Sequence, residues 1–164
     1  MLARICKHLS MTPWRVRRTF PPATLEAIEH EIKTSEAQHA GEVCFVVEGA
    51  LNGAALYNDQ SARDRAIEVF SLLRLWDTTH RNAVLIYVLL ADRAVEIVAD
   101  RGVHPKVSAD EWESICHAME ASFREGRYHA GTLQGIRAVT VHLTAHFPAA
   151  AGSTRELPDR PVLL

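Results

Sequence analysis

The chain has 164 residues, 48% of them hydrophobic, with 18 basic and 20 acidic side chains for a net charge of −2. That length supports one well-buried core without requiring two, and its longest apolar run, the nine residues Ala83–Ala91, is far short of the roughly 20 that a membrane-spanning helix needs. Residues 20–164 carry 13 basic against 20 acidic side chains, a net −7, and such a body repels polyphosphate, which argues against a nucleic-acid-binding domain.

Residues 1–19 hold Arg4, Lys7, Arg15, Arg17 and Arg18 and no acid. Leu2, Ile5 and Leu9 fall at i, i+3 and i+7, with Arg4, Lys7 and His8 off that stripe and Trp14 just beyond. The spacing predicts a short amphipathic helix in a basic N-terminal arm. Two readings follow: weak peripheral contact with anionic lipid, or a frayed or self-packed terminus. Arg4, Lys7 and His8 interrupt what would be a signal peptide's apolar region, and no small-residue cleavage site follows, so the expected location is cytoplasmic.

Pro21-Pro22 opens a helix whose inward stripe is Leu25, Ile28 and Ile32, running to about His39 and stopped by Ala40-Gly41. Glu42–Glu48 reads as a buried strand, and Gly49–Gln60 as a loop broken by Asn52, Gly53 and Asn58-Asp59. Ser61-x-x-Asp64 caps a helix with Ala66, Ile67, Phe70 and Leu73 inward. Val84–Leu90 is almost continuously apolar, as a strand covered on both faces should be, and Ala91-Asp92-Arg93 turns it into a second strand, Ala94–Ala99. Ser108-x-x-Glu111 is a capping box, flanked by a hydrophobic staple of Val107 and Trp112; the helix it opens buries Trp112, Ile115, Cys116, Met119 and Phe123 and stops at Gly126. A last helix, about Tyr128–Phe147, buries Leu133, Ile136, Val139, Leu143 and Phe147, and residues 148–164, with three prolines, read as a flexible C-terminal tail. Cys6, Cys44 and Cys116 are odd in number and have no CxxC spacing, so they read as reduced thiols, with Cys44 and Cys116 in the core.

Strand, helix, strand over residues 42–90 is a right-handed crossover that makes the first two strands parallel; the third pairs back as a hairpin. The expected fold is a three-layer α/β/α sandwich around a small mixed sheet, with a basic arm at 1–19, one domain at 20–147 and a tail at 148–164. In such a sheet Glu42, Asp77, Arg81, Asn82, Asp100, Arg101 and His104 converge at one end. Like charges gathered there recruit a cation or raise a pKa. One reading is therefore a hard-cation site of Asp77, Asn82, Asp100 and Glu42 holding Ca²⁺ or Mg²⁺ completed by water. The other is a structural network in which Asp100 caps the next turn and pairs with Arg101 or Arg81.

S35-E-A-Q-H-A-G-E-V-C-F-V-V-E48, T79-H-R-N-A-V-L-I-Y87, A91-D-R-A-V-E-I-V-A-D-R-G102 and F123-R-E-G-R-Y128, taken in this order of elements, resemble the TPM domain family over about Pro21–Phe147. That family includes a phosphatase-like photosystem repair protein of the plant thylakoid lumen and a modulator of nematode acetylcholine receptors, and the short form is similar to stand-alone bacterial members. The resemblance implies an α/β/α sandwich, divalent-cation binding at the loop end of the sheet and weak phosphatase activity. Many relatives have Asn-Gly where this chain has Asn82-Ala83, so a backbone conformation that needs glycine costs about 1 kcal/mol or more at that position.

His142 and His146, at i and i+4, have a chelating spacing but no carboxylate or cysteine at a fixed local spacing to complete a zinc tetrahedron. The sequence has no Cys-x₅-Arg loop, GxxxxGK[ST], GxGxxG, GxSxG or HExxH motif. Hydrolysis here would have to be metal-assisted at the Asp77/Asn82/Asp100 cluster, with Asp100, Arg101 and Arg81 as the catalytic set and the guanidinium groups on a phosphoryl oxygen. Three functions are thus expected: a module binding a divalent cation or a protein partner's polar group, a low-turnover metal-dependent phosphatase using the same residues, and a membrane-peripheral interaction protein acting through the basic arm.

Overall fold

A computed structural model describes residues 2–149 and 156–164. Eleven elements follow in order among them: α1 (Leu2–Leu9), α2 (Pro13–Thr19), α3 (Pro22–Ser35), β1 (Glu42–Glu48), α4 (Gly53–Tyr57), α5 (Ala62–Leu72), β2 (Ala83–Leu89), β3 (Ala94–Ala99), α6 (Ala109–Arg124), α7 (Tyr128–His146) and β4 (Val162–Leu163). The expected α/β sandwich is what forms, on an open mixed sheet of order β3-β2-β1-β4. β1 and β2 run parallel from Glu42↔Ala83 to Glu48↔Leu89, and β3 returns antiparallel from Leu89↔Ala94 to Val84↔Ala99.

Alternation along the strands divides the core in two. Val43, Phe45, Val47, Val84, Ile86 and Val88 face α3, α6 and α7, where Ile28, Ile32, Ile136, Val139 and Leu143 are fully buried. Cys44, Val46, Leu85, Tyr87 and Leu89 face the other way, onto Leu56, Ala66, Val69 and Phe70 of α4 and α5. Both faces being covered is why β1 and β2 carry apolar side chains at nearly every position. Burial pushes both core thiols, Cys44 and Cys116, up to about 12, so neither is a nucleophile.

Three sequence expectations are corrected. In α5 Ala66 and Phe70 are buried as expected, but the residue that joins them is Val69, fully buried, while Ile67 is 47% exposed, because the inward face lies toward the Val69 side of the helix. The span Gly49–Gln60 contains α4, which Asn52 caps by accepting a hydrogen bond from Ala55 N–H at 2.9 Å. The end of the expected tail supplies β4, parallel to β1 through Val46↔Val162 and Val47↔Leu163. Residues 150–155 of that tail lie outside the described residues.

The hairpin edge is closed by side chains. Val95 N–H donates to Glu120 at 3.1 Å, Arg63 donates to Ile97 carbonyl oxygen, and Ile97 N–H meets the Cys116 sulfur. Main-chain groups that would otherwise template another strand are thereby occupied. At the far end of β1 the buried Glu48 carboxylate accepts Arg65 Nε and Nη2, both at 2.9 Å, and Tyr87 hydroxyl at 2.7 Å, which ties α5 to the sheet.

α6 and α7 approach closely at Gly131, where an added Cβ would lie 2.6 Å from Ser122 Cβ and 3.1 Å from Phe123 Cε1. Neither neighbour is the far end of a flexible chain, so the helices would have to part. Glycine to alanine inside an exposed helix ordinarily stabilises by about 1 kcal/mol. Overpacking costs about 1–3 kcal/mol, and we expect Gly131→Ala to lose about 1 kcal/mol net in urea unfolding. A gain in stability would mean that the contact is not as close as it stands here.

Candidate functional site

Parallel pairing puts the starts of β1 and β2 and the end of β3 on one rim. Asn82 carbonyl oxygen accepts Glu42 N–H at 3.3 Å, and Asp100 N–H donates to Ala83 carbonyl oxygen at 2.9 Å. The loop before β2 continues along the turn after β3, with Arg81 N–H donating to Thr78 oxygen at 3.2 Å and Gly102 N–H to Arg81 oxygen at 2.8 Å. Gly102 is required: a Cβ there would stand 2.5 Å from Arg81 carbonyl oxygen. Arg81 itself adopts a left-handed backbone, φ 51°, a conformation costing about 1 kcal/mol that bonds on both sides hold in place. Ala83 is the first residue of β2, and the left-handed position of this loop is Arg81, two residues before it.

Each expected site residue has a definite place. Asp100 is 4% exposed; its Oδ1 accepts Arg101 N–H at 2.7 Å, while Oδ2 is buried with no hydrogen-bond partner among the described residues. Asp100 therefore caps the following turn, as the structural reading expects, but it makes no ion pair with Arg81 or Arg101 among the described residues. Asn82 is buried and donates Nδ2 to Ala40 carbonyl oxygen, leaving its amide oxygen as the other pole of the group. Thr78, also buried, has a hydroxyl oxygen with no partner among the described residues. Arg81, Arg101, His104 and Asp77 are exposed around them.

Glu42 is at the rim but spoken for. Its carboxylate accepts the N–H groups of Glu156 and Leu157, each at 3.2 Å, and so anchors the C-terminal segment that ends in β4. Burial raises its pKa, with those two bonds opposing. Among the described residues no group of three or more His, Cys, Asp and Glu side chains is arranged around a common metal position. His142 instead packs against Trp112 in a tilted pair, with ring centroids 5.4 Å apart and planes at 57°, and approaches Glu111 at 3.8 Å.

Sequence reasoning passed over Glu36 and His39. Glu36, 9% exposed, accepts Val43 N–H at 3.2 Å, and burial pushes its carboxyl up to about 8, with the neighbouring Asp159 and Glu42 adding to the rise. His39 Nδ1–H donates to Gly41 carbonyl oxygen at 2.9 Å, its buried Nε2 has no partner among the described residues, and desolvation lowers its pKa. A charged residue at the end of a helix gave no signal of burial, because the segment that covers it arrives from 120 residues away.

A family model described as TPM domain matches residues 17–141. The solution structure of the BA42 protein from the psychrophilic bacterium Bizionia argentinensis is similar, with 28% identity and a TM-score of 0.75 over 86% of this chain and 92% of that one. The N-terminal domain of a protein from P. gingivalis shares the fold at 20% identity and a TM-score of 0.62, over 79% of this chain and 81% of that one. No curated protein matches.

Glu36 binds its proton more tightly in the folded chain than in the unfolded one, where the ordinary value is 4.5. Its stabilising contribution is fully present below about 4.5 and is lost as pH rises through about 8. Glu36→Gln keeps an acceptor for Val43 and a donor toward Asp159 without the titration. The expected result is a melting-midpoint difference, variant minus wild type, that grows in the variant's favour from pH 5 to pH 9. A difference constant across that range would place the Glu36 carboxyl at its ordinary value.

Proposed function

We propose, from the premise that this chain belongs to the TPM domain family, that its rim is a divalent-cation site centred on Asp100. The observation that carries the reading is a buried carboxylate with one oxygen engaged and the other without a partner among the described residues, together with a second such buried oxygen on Thr78 in the loop that leads to Arg81. An uncompensated buried carboxylate oxygen costs several kcal/mol, and a hard cation with oxygen ligands answers it. Asp100 and the Asn82 amide oxygen fit as ligands, with Asp77 reaching in from the exposed loop and water completing the shell. Glu42 does not fit as a direct ligand, because both of its oxygens are already bonded to main-chain N–H groups. Its charge still adds to the field of the rim.

A low-turnover phosphatase is the narrower reading of the same residues. The exposed guanidinium groups of Arg81 and Arg101 favour it, since Arg81 adjoins Asn82 and Arg101 adjoins Asp100 in sequence, and Gly102 N–H joins the two segments at Arg81 carbonyl oxygen. There the cation would supply an activated water and the two arginines would hold a phosphoryl oxygen. Binding without turnover would leave a module that presents a bound cation to a partner's polar group.

Calcium and magnesium titration followed by thermal melting is the test. A ligand at a hundred times its Kd adds about 2.7 kcal/mol to the folded state, so the midpoint should rise by several degrees for the wild type and by none for Asp100→Ala. An unchanged midpoint in the wild type would remove the cation. Phosphatase turnover that is sensitive to chelator and lost in Asp100→Ala would establish the narrower reading; turnover surviving both would assign it to other groups.

A further inference from the structure

The N-terminal arm is latched to the domain by its polar side. Asp92, in the β2–β3 turn, accepts Arg4 Nη2 at 2.8 Å and Arg4 Nε at 3.1 Å, and meets His8 Nε2 at 3.0 Å. Leu51 N–H donates to His8 Nδ1 at 3.0 Å, and Arg4 also reaches Asp59 at 2.8 Å. His8 is 3% exposed. The ends of the apolar stripe of α1 are left outside, Leu2 81% and Leu9 77% exposed, with Ile5 between them half-buried. In α2 Val16 is buried, in contact with the backbone at Gly49, while Trp14 is 65% exposed. Surface helices ordinarily turn the apolar stripe inward; here α1 leaves two leucines of its stripe outside and α2 leaves Trp14 outside while burying Val16.

The charges around that stripe say what it meets. Lys7, Arg15, Arg17 and Arg18 are exposed and form no ion pair with a described residue, and α1 and α2 contain no acid. Arg15 donates to Ser10 oxygen at 3.1 Å, just beyond Leu9, and the Arg18 guanidinium lies 5.3 Å from the Trp14 ring, so cations border the apolar residues. Beside them runs a groove of about 640 Å³ lined by Trp14, Arg15, Arg18, Tyr128 and His129.

We infer that the arm is a peripheral anchor for an anionic bilayer. Leu2, Leu9 and Trp14 enter the boundary between head groups and acyl chains, and Arg15 and Arg18 take a lipid phosphate in the groove. Two leucines and one tryptophan are a weak anchor alone, and each cation near an anionic surface adds roughly fivefold. An acidic domain would be repelled by such a surface, so the basic face sets which side approaches. The arm sits where β1 and β2 end, and the Asp100 rim where they begin, so the anchored domain carries its rim on the pole away from the lipid.

Vesicle co-sedimentation of the full chain tests this, with phosphatidylcholine alone and with phosphatidylglycerol added, in chelator. The expected result is pelleting with the anionic vesicles only, weakened by salt, and a blue shift of tryptophan emission that Trp14→Phe removes. Leu2→Asp combined with Leu9→Asp alters only exposed side chains, so its melting midpoint should stay unchanged while pelleting falls at least about tenfold. Asp100→Ala should pellet like the wild type, which separates this inference from the cation reading. Equal pelleting with neutral vesicles, no pelleting, or pelleting undiminished in the double variant would overturn it. Self-association abolished by the double variant, without lipid binding, would assign the face to a second copy and overturn it too.

Discussion

The parallel pairing of β1 with β2 sets where every polar group of the rim can stand. Its register runs unbroken from Glu42↔Ala83 to Glu48↔Leu89, and every residue in it is buried on both faces of the sheet. A slip by one residue would exchange the two faces and drive Val43 and Phe45 into the space that Cys44 and Val46 fill. Packing thus fixes the register, and the register brings Asn82, Glu42 and Asp100 to a common end although 58 positions separate the first and last of the three in sequence.

The two poles of this sheet are chemically different. At the far pole the buried polar groups are satisfied: Glu48 by Arg65 and Tyr87, and His8 and Asp92 by each other, Leu51 and Arg4. Burial alone would raise the Asp92 carboxyl, but the Arg4 and His8 bonds hold it below its ordinary value. The rim is the opposite case. Asp100, Thr78 and His39 each keep a buried polar atom without a partner among the described residues, and Glu42 and Glu36 are raised by burial. Stability is rarely left in that condition without a ligand or water to answer it, because an unmet buried polar group costs about 1–3 kcal/mol. The far pole is finished by intramolecular bonds, and the proposed cation would complete the rim.

Most of the fold could be read from local pattern. The bounds of β1 and β3, the capping box at Ser108 and the buried stripe of α6 follow from periodicity and side-chain chemistry confined to a few residues, and the structure has them where those signals stand. What could not be read depends on segments far apart. Ile67 and Val69 are both apolar, and only the angle at which α5 meets the sheet decides which is buried. β4 is two residues long and has no strand signature; it forms because Glu42 and the edge of β1 receive it. The rim was legible as a gathering of Asn82 and Asp100, since a hairpin dictates that. Glu42's commitment to Glu156 and Leu157, and the outward stripe of α1, were not, because each is decided by contacts across more than 40 residues.

An isotope-labelled sample titrated with calcium and followed by amide chemical shifts tests the central claim most directly. The Arg101 amide is bonded to the engaged oxygen of Asp100, and Gly102 to the loop carbonyl of Arg81. The account predicts saturable shifts concentrated at Thr78–Asn82 and Asp100–Gly102, with Leu51 and the arm unmoved. Shifts absent from Arg101 and Gly102, or centred instead on Glu111 and His142, would contradict it.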